Sequence, residues 1–138
     1  MPQDQTGFDH LVEITAQLRD PDGGCPWDLE QTHASLAKYL QEETEEVLEV
    51  LETFVENQSA GDYDSLKDEL GDVLLQVLLH SQIASESGKF TIEDVLDNLR
   101  EKLIRRHPHV FGDSQACTIE EVQAQWEAIK SQEKETEE

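Results

Sequence analysis

The chain has 138 residues and a formal net charge of −22, with only ten Lys and Arg against 32 Asp and Glu. That length suits one domain able to bury roughly two thirds of its unfolded surface. The charge excludes DNA or RNA as a polymer ligand, because a phosphate backbone needs clustered Lys and Arg. No apolar run approaches the ~18–20 residues that span a bilayer, which excludes a membrane helix.

The start, MPQDQTGFDH, lacks both a basic segment and an apolar one, so a cytoplasmic protein without a signal peptide is expected. Cys25 and Cys117 sit in no CxxC pair and read as two free thiols of a reducing compartment. In chain order, Phe8, Leu11, Val12, Ile14 and Leu18 outline a short amphipathic helix, broken by RDPDGGCPWD with its two Pro and two Gly. A long helix follows from about Thr32 to Val55, ended by ENQSAGDYD. The third begins at Asp62 or Asp64 as cap and stops near Ser87, with Gly88 behind it. Thr91 with Asp94, and Thr118 with Glu121, resemble capping boxes for two more helices, the first closed by Pro108. No alternating strand pattern occurs. The fold class is all-α, a bundle of about five helices in one domain over 1–138, with a core from about 8 to 130 and a charged, frayed tail over 131–138.

The stretch QEETEEVLEVLE sorts its acids by position. At about 100° per residue from Glu42, the apolar side chains Leu40, Val47, Leu48, Val50, Leu51, Phe54 and Val55 fall between roughly 80° and 240°. Glu45, Glu49, Glu52 and Glu56 take the opposite, solvated side. Glu43 lies inside the apolar arc, near 100°, with Glu46 and Glu42 along its border. An ionised carboxylate facing a core needs a cation or a metal. The third helix, KDELGDVLLQVLLHSQIA, is apolar nearly all round and therefore central, apart from a narrow stripe of Glu69, Asp72, Gln76 and His80. If the EExxE and ExxD faces meet, converging carboxylates call for a divalent ion with oxygen ligands, Mg2+ or Mn2+. The plainer alternative is that Glu43 is hydrogen-bonded locally and that ExxD is ordinary helix surface.

Arg100, Lys102, Arg105 and Arg106 fall within seven residues of a chain poor in cations. Placement at a helix C-terminus accounts for Arg105 and Arg106, and less well for Lys102. The functional reading is a phosphate clamp of Lys102 and Arg106. Trp126 and Lys130, one turn apart, add either a stacking surface with a cation or a core anchor. His107 and His109 lack the further ligands a zinc site would need.

Together, LRDPDGGCPWDLEQTH, LQEETEEVLE, LKDELGDVLLQVLLHSQIA, EKLIRRHPHVFG and QWEAIK resemble the MazG family of nucleoside triphosphate pyrophosphohydrolases, over about Leu18 to Lys130. The resemblance implies an all-α fold whose helices form an intertwined dimer, and Mg2+-dependent cleavage of NTPs or dNTPs to monophosphate and pyrophosphate. It implies Glu43, Glu46, Glu69 and Asp72 as metal ligands, with Glu42 and Glu46 orienting a metal-activated water toward the α-phosphorus. Lys102, Arg106, Trp126 and Lys130 match nucleotide-contacting positions. It also suggests either housecleaning of aberrant nucleotides in the pool or adjustment of a stress alarmone, with no residue here selecting between them. One departure stands out: long members carry tandem domains, whereas this chain has one EExxE and one ELGD. The alternatives are a narrower all-α pyrophosphatase for one nucleotide, or a non-catalytic helical module that senses nucleotide or binds a protein.

Overall fold

Side-chain caps decide where the helices begin. The first, α1 (Gly7–Leu18), starts at Thr6, whose hydroxyl accepts from the Asp9 amide at 3.0 Å. The next, α2 (Pro26–Glu30), is a short turn opened by a proline in the position where an amide has no partner to lose. A reciprocal capping box of Thr32 and Ser35 opens α3 (His33–Leu51), and Asp62 opens α4 (Tyr63–Glu86) by accepting from the Ser65 amide at 3.1 Å. Beyond lie α5 (Ile92–Arg106), α6 (Pro108–Phe111) and α7 (Ile119–Glu137). The Thr118 hydroxyl accepts from the Glu121 amide at 3.1 Å and donates to the Glu121 carboxylate at 3.0 Å. The computed structural model describes residues 6–137, among which there is no strand. The first five residues, part of the segment read as carrying no signal peptide, and Glu138 of the charged tail lie outside the described residues.

The five expected helices are α1, α3, α4, α5 and α7, with three differences. Pro26 and Pro108, read as breakers, each also start a short helix, because proline's fixed φ suits a first turn. The second expected helix stops at Leu51 rather than Val55 and tightens into a 3-10 turn over Glu52–Phe54. There the Thr53 hydroxyl donates to the Val50 carbonyl at 2.7 Å and accepts from the Asp62 amide at 3.0 Å, tying the turn to the start of α4. The last helix continues to Glu137, past Lys130, where the sequence reading ended the core.

The chain divides into two compact units after Ile92. In the first, α3 and α4 run antiparallel: His33 meets His80 near one end while Glu43 and Glu46 meet Glu69 and Asp72 further along. The two imidazoles lie side by side. Their planes differ by 4°, the ring centroids lie 5.1 Å apart and the Nδ1 atoms 2.8 Å apart, so one ring donates in line to the other. Leu36 of α3 and Leu78, Leu79 and Ala84 of α4 are buried, which makes α4 the central helix, as its all-round apolar sequence predicts.

Arg19, at the end of α1, is 8% exposed and knits this unit together. Its guanidinium donates to both carboxylate oxygens of Glu86 at 2.8 and 2.9 Å, to the Asp28 carbonyl, and to the Gln31 carbonyl at 3.1 Å. The GCPWD stretch therefore acts as a clasp between the ends of α1, α2 and α4. A Cβ on Gly24 would lie 2.7 Å from the Leu18 carbonyl oxygen, so the clasp closes only around glycine. In the second unit, α5 and α7 carry the ion pairs described below.

Candidate active site

One turn of α3 contributes Glu43 and Glu46, and one turn of α4 contributes Glu69 and Asp72. Each offers a carboxylate oxygen, and the four oxygens lie within 4.8 Å of one another. The spacing of three within each pair places both acids on one helix face, and the antiparallel pairing of α3 with α4 brings the faces together. Glu45, Glu49, Glu52 and Glu56 are exposed, as the helical wheel separates them. Glu42 is also exposed, one position outside the cluster.

The electrostatics are those of an uncompensated cluster. Burial pushes the Glu43 carboxyl above the usual carboxylate range, with the charges of Glu46, Asp72 and Glu42 adding to the shift. Glu69 is pushed up to about 7, first by its hydrogen bond with Glu46, then by burial and by the Glu46 and Asp72 charges. The Oε2 atoms of Glu43 and Glu69 are nonetheless buried without a hydrogen-bond partner. Among the described residues, the ion pairs of Arg19, Arg100, Arg105 and Arg106 go to other acids. Buried oxygens with neither donor nor cation, converging within one ion's reach, fit a hard divalent cation.

The second unit gathers positive charge. Lys102, Arg105 and Arg106 of α5 and Lys130 and Lys134 of α7 line one groove of about 490 Å³. The Trp126 ring is half-buried; the Arg106 guanidinium carbon sits 5.3 Å from its centroid and the His107 ring meets it edge-on at 5.1 Å. The nucleotide-contacting positions expected from the sequence thus lie close together: Lys102, Arg106 and Lys130 line the groove, and Trp126 contacts Arg106.

Two features escaped the sequence reading. Glu133 accepts from Arg105 Nε at 2.7 Å and from Arg106 Nη2 at 2.8 Å, and these bonds hold its carboxyl down at about 2. Helical periodicity gives no signal for a partner 27 or 28 residues away. Gln76 is buried with its Oε1 unpartnered, one turn past Asp72. Its place in the polar stripe of α4 was visible, but not the burial of its amide.

Residues 31–111, more than half of the chain, match the family model of the MazG nucleotide pyrophosphohydrolase domain. The chain belongs to the MazG family. Over 127 residues it is 54% identical to the nucleoside triphosphate pyrophosphohydrolase/pyrophosphatase MazG of Thermotoga maritima, covering 92% of this chain and 45% of that protein. It is 48% identical, over 92% of this chain and 46% of the relative, to the nucleoside triphosphate pyrophosphohydrolase of Escherichia coli K12. This MazG domain therefore spans about half the length of the curated relatives it matches. Among solved structures it resembles a mazG-related protein from Thermotoga maritima, with a TM-score of 0.65 and 27% identity over 88% of this chain and 96% of that one. The acidic cluster and ELGD fall within the matched region, as do Lys102 and Arg106; Trp126 and Lys130 lie beyond it.

Proposed function

We propose that the chain hydrolyses nucleoside triphosphates, ribo or deoxy, to the monophosphate and pyrophosphate, at a site assembled by Glu43, Glu46, Glu69 and Asp72. The observation that carries this reading is the meeting of four carboxylates, each with an oxygen within 4.8 Å of the others, of which Glu43 and Glu69 each also bury an unpartnered Oε2. These four residues would hold Mg2+, or Mn2+, which supplies charge neutralisation at the phosphates and a water of lowered pKa. Glu42 and Glu46, on the exposed side of the cluster, orient the attacking water and take its proton. Lys102, Arg106 and Lys130 bind the phosphate tail and neutralise charge growing on the departing pyrophosphate. Trp126 offers a face for the base. We place the protein in the cytoplasm, where nucleotides are met, in a housecleaning role, and as a homodimer. The last is supported by a run of exposed apolar side chains on and after α3, among them Leu48 at 56% and Val55 at 81% exposure.

The test is direct. Purified chain with an NTP and Mg2+ releases pyrophosphate, and Glu43→Ala reduces the rate by at least about a hundredfold, the scale expected when a metal's ligand set is broken. Orthophosphate as first product would mean that a different bond is cut. Metal-dependent nucleotide binding without turnover would make the domain a sensor.

A further inference from the structure

Five of the chain's ten Lys and Arg line the groove of the second unit, and the lining holds a single acid, Glu133. That acid sits among the cations. Its Oε2 accepts from Arg105 Nε at 2.7 Å and from Arg106 Nε at 3.4 Å, and its Oε1 accepts from Arg106 Nη2 at 2.8 Å. The Glu133 side chain is 19% exposed, so the carboxylate is partly withdrawn from water into the guanidinium pair.

We propose that Glu133 is a resident stand-in for a phosphoryl group, held by Arg105 and Arg106 in the free protein and displaced when a polyphosphate tail enters the groove. The proposal rests on the reading that this groove takes the phosphate tail of the substrate. A carboxylate and a phosphate present the same paired oxygens to a guanidinium fork, so each can occupy the other's place. Without an anion, two guanidinium groups and their lysine neighbours repel one another; Glu133 relieves that strain and keeps the forks ordered. With Glu133 in place the groove's five cations carry four uncompensated positive charges, and once Glu133 swings out all five face the ligand alone. A triphosphate tail supplies enough negative charge to complete the exchange; a single phosphate competes poorly with a carboxylate already tethered in place. The device thereby favours the triphosphate over the monophosphate product.

Calorimetric titration of the metal-free chain with inorganic tripolyphosphate tests this. Glu133→Gln, which removes the competing charge and keeps the shape, binds tripolyphosphate roughly five- to tenfold more tightly than the wild type, the scale of one charge-assisted contact. Glu133→Asp keeps the charge and stays near wild-type affinity. In the unsubstituted protein, the Nε–H resonances of Arg105 and Arg106 move as tripolyphosphate is added. Equal or weaker binding by Glu133→Gln, or stationary resonances while tripolyphosphate binds, overturns the exchange but leaves the groove reading standing. Lys102→Ala with Lys130→Ala leaving tripolyphosphate binding unchanged overturns both.

Discussion

At the scale of single residues, the chain holds two kinds of carboxylate that respond oppositely to pH. Glu69 is pushed up to about 7 and Glu43 is raised as well, so in the metal-free fold both bind protons more tightly than in the unfolded chain. Stability rises with pH only where the unfolded state holds more protons, and here the folded state does. Glu69 therefore makes the metal-free protein lose stability as pH climbs from the ordinary carboxylate value of 4.5 through about 7, and Glu43 acts in the same direction. Glu86 and Glu133, held low by arginines, act the other way: their contribution is present above 4.5 and is lost as pH falls below it. His80, lowered first by burial and then by His33, also loses stability as pH falls below 6.5. Because these terms overlap, a difference isolates the cluster. Glu69→Gln should melt at a higher temperature than the wild type above pH 7 in the presence of a chelator, with the gap closing toward pH 4.5. Saturating Mg2+ should reverse the order, because only the wild type gains from binding. A gap that ignores both pH and Mg2+ would mean that Glu69 is an ordinary surface acid.

At the scale of elements, the arginine clasp matters more than any one helix. Arg19 serves three partners, so its removal takes a donor from two backbone carbonyls and from the Glu86 carboxylate at once. Breaking a buried pair from one side costs about 3–5 kcal/mol, and partial exposure of Glu86 discounts that to about 2–3 kcal/mol for Arg19→Ala. The loss is read from the denaturant midpoint, and a loss below about 0.5 kcal/mol would show the clasp to be cosmetic. This element was half legible in the sequence. Pro and Gly in RDPDGGCPWD announced a break, but breakers carry no information about which carbonyls a distant arginine will satisfy. The helices themselves were legible because caps are local: Thr32, Asp62, Thr118 and Gly88 each act within a few residues. So was Glu43, because a carboxylate inside an apolar arc conflicts with burial whatever lies opposite it. The end of α3 was not legible, since Thr53 stops it by bonding to Asp62, nine residues on. Glu133 was hidden for the same reason at longer range.

At the scale of the whole molecule, a charge of −22 sets copies of the chain against one another, while the apolar surface draws them together. Leu40, Leu48, Leu51 and Val55 were expected to face a core from their arc on the helical wheel, yet all four are exposed. Steps of eight and three residues keep Leu40, Leu48 and Leu51 on one stripe of α3, Val55 follows just past the 3-10 turn, and Leu70 and Val77 of α4 are exposed as well. The arc was read correctly as apolar, and the rest of the first unit's described residues leave it open. A second copy resolves the conflict, if the apolar area buried outweighs repulsion between two acidic surfaces. Two consequences follow from that balance. Salt screens the repulsion within about 10 Å at 0.1 M and leaves burial untouched, so the proposed dimer should tighten as salt rises, contrary to an assembly built on ion pairs. Leu48→Asp with Val55→Asp puts two desolvated charges on the stripe and should give a monomer by sedimentation at concentrations where the wild type is dimeric. A wild type that sediments as a monomer at high concentration and high salt would leave the stripe needing a different partner.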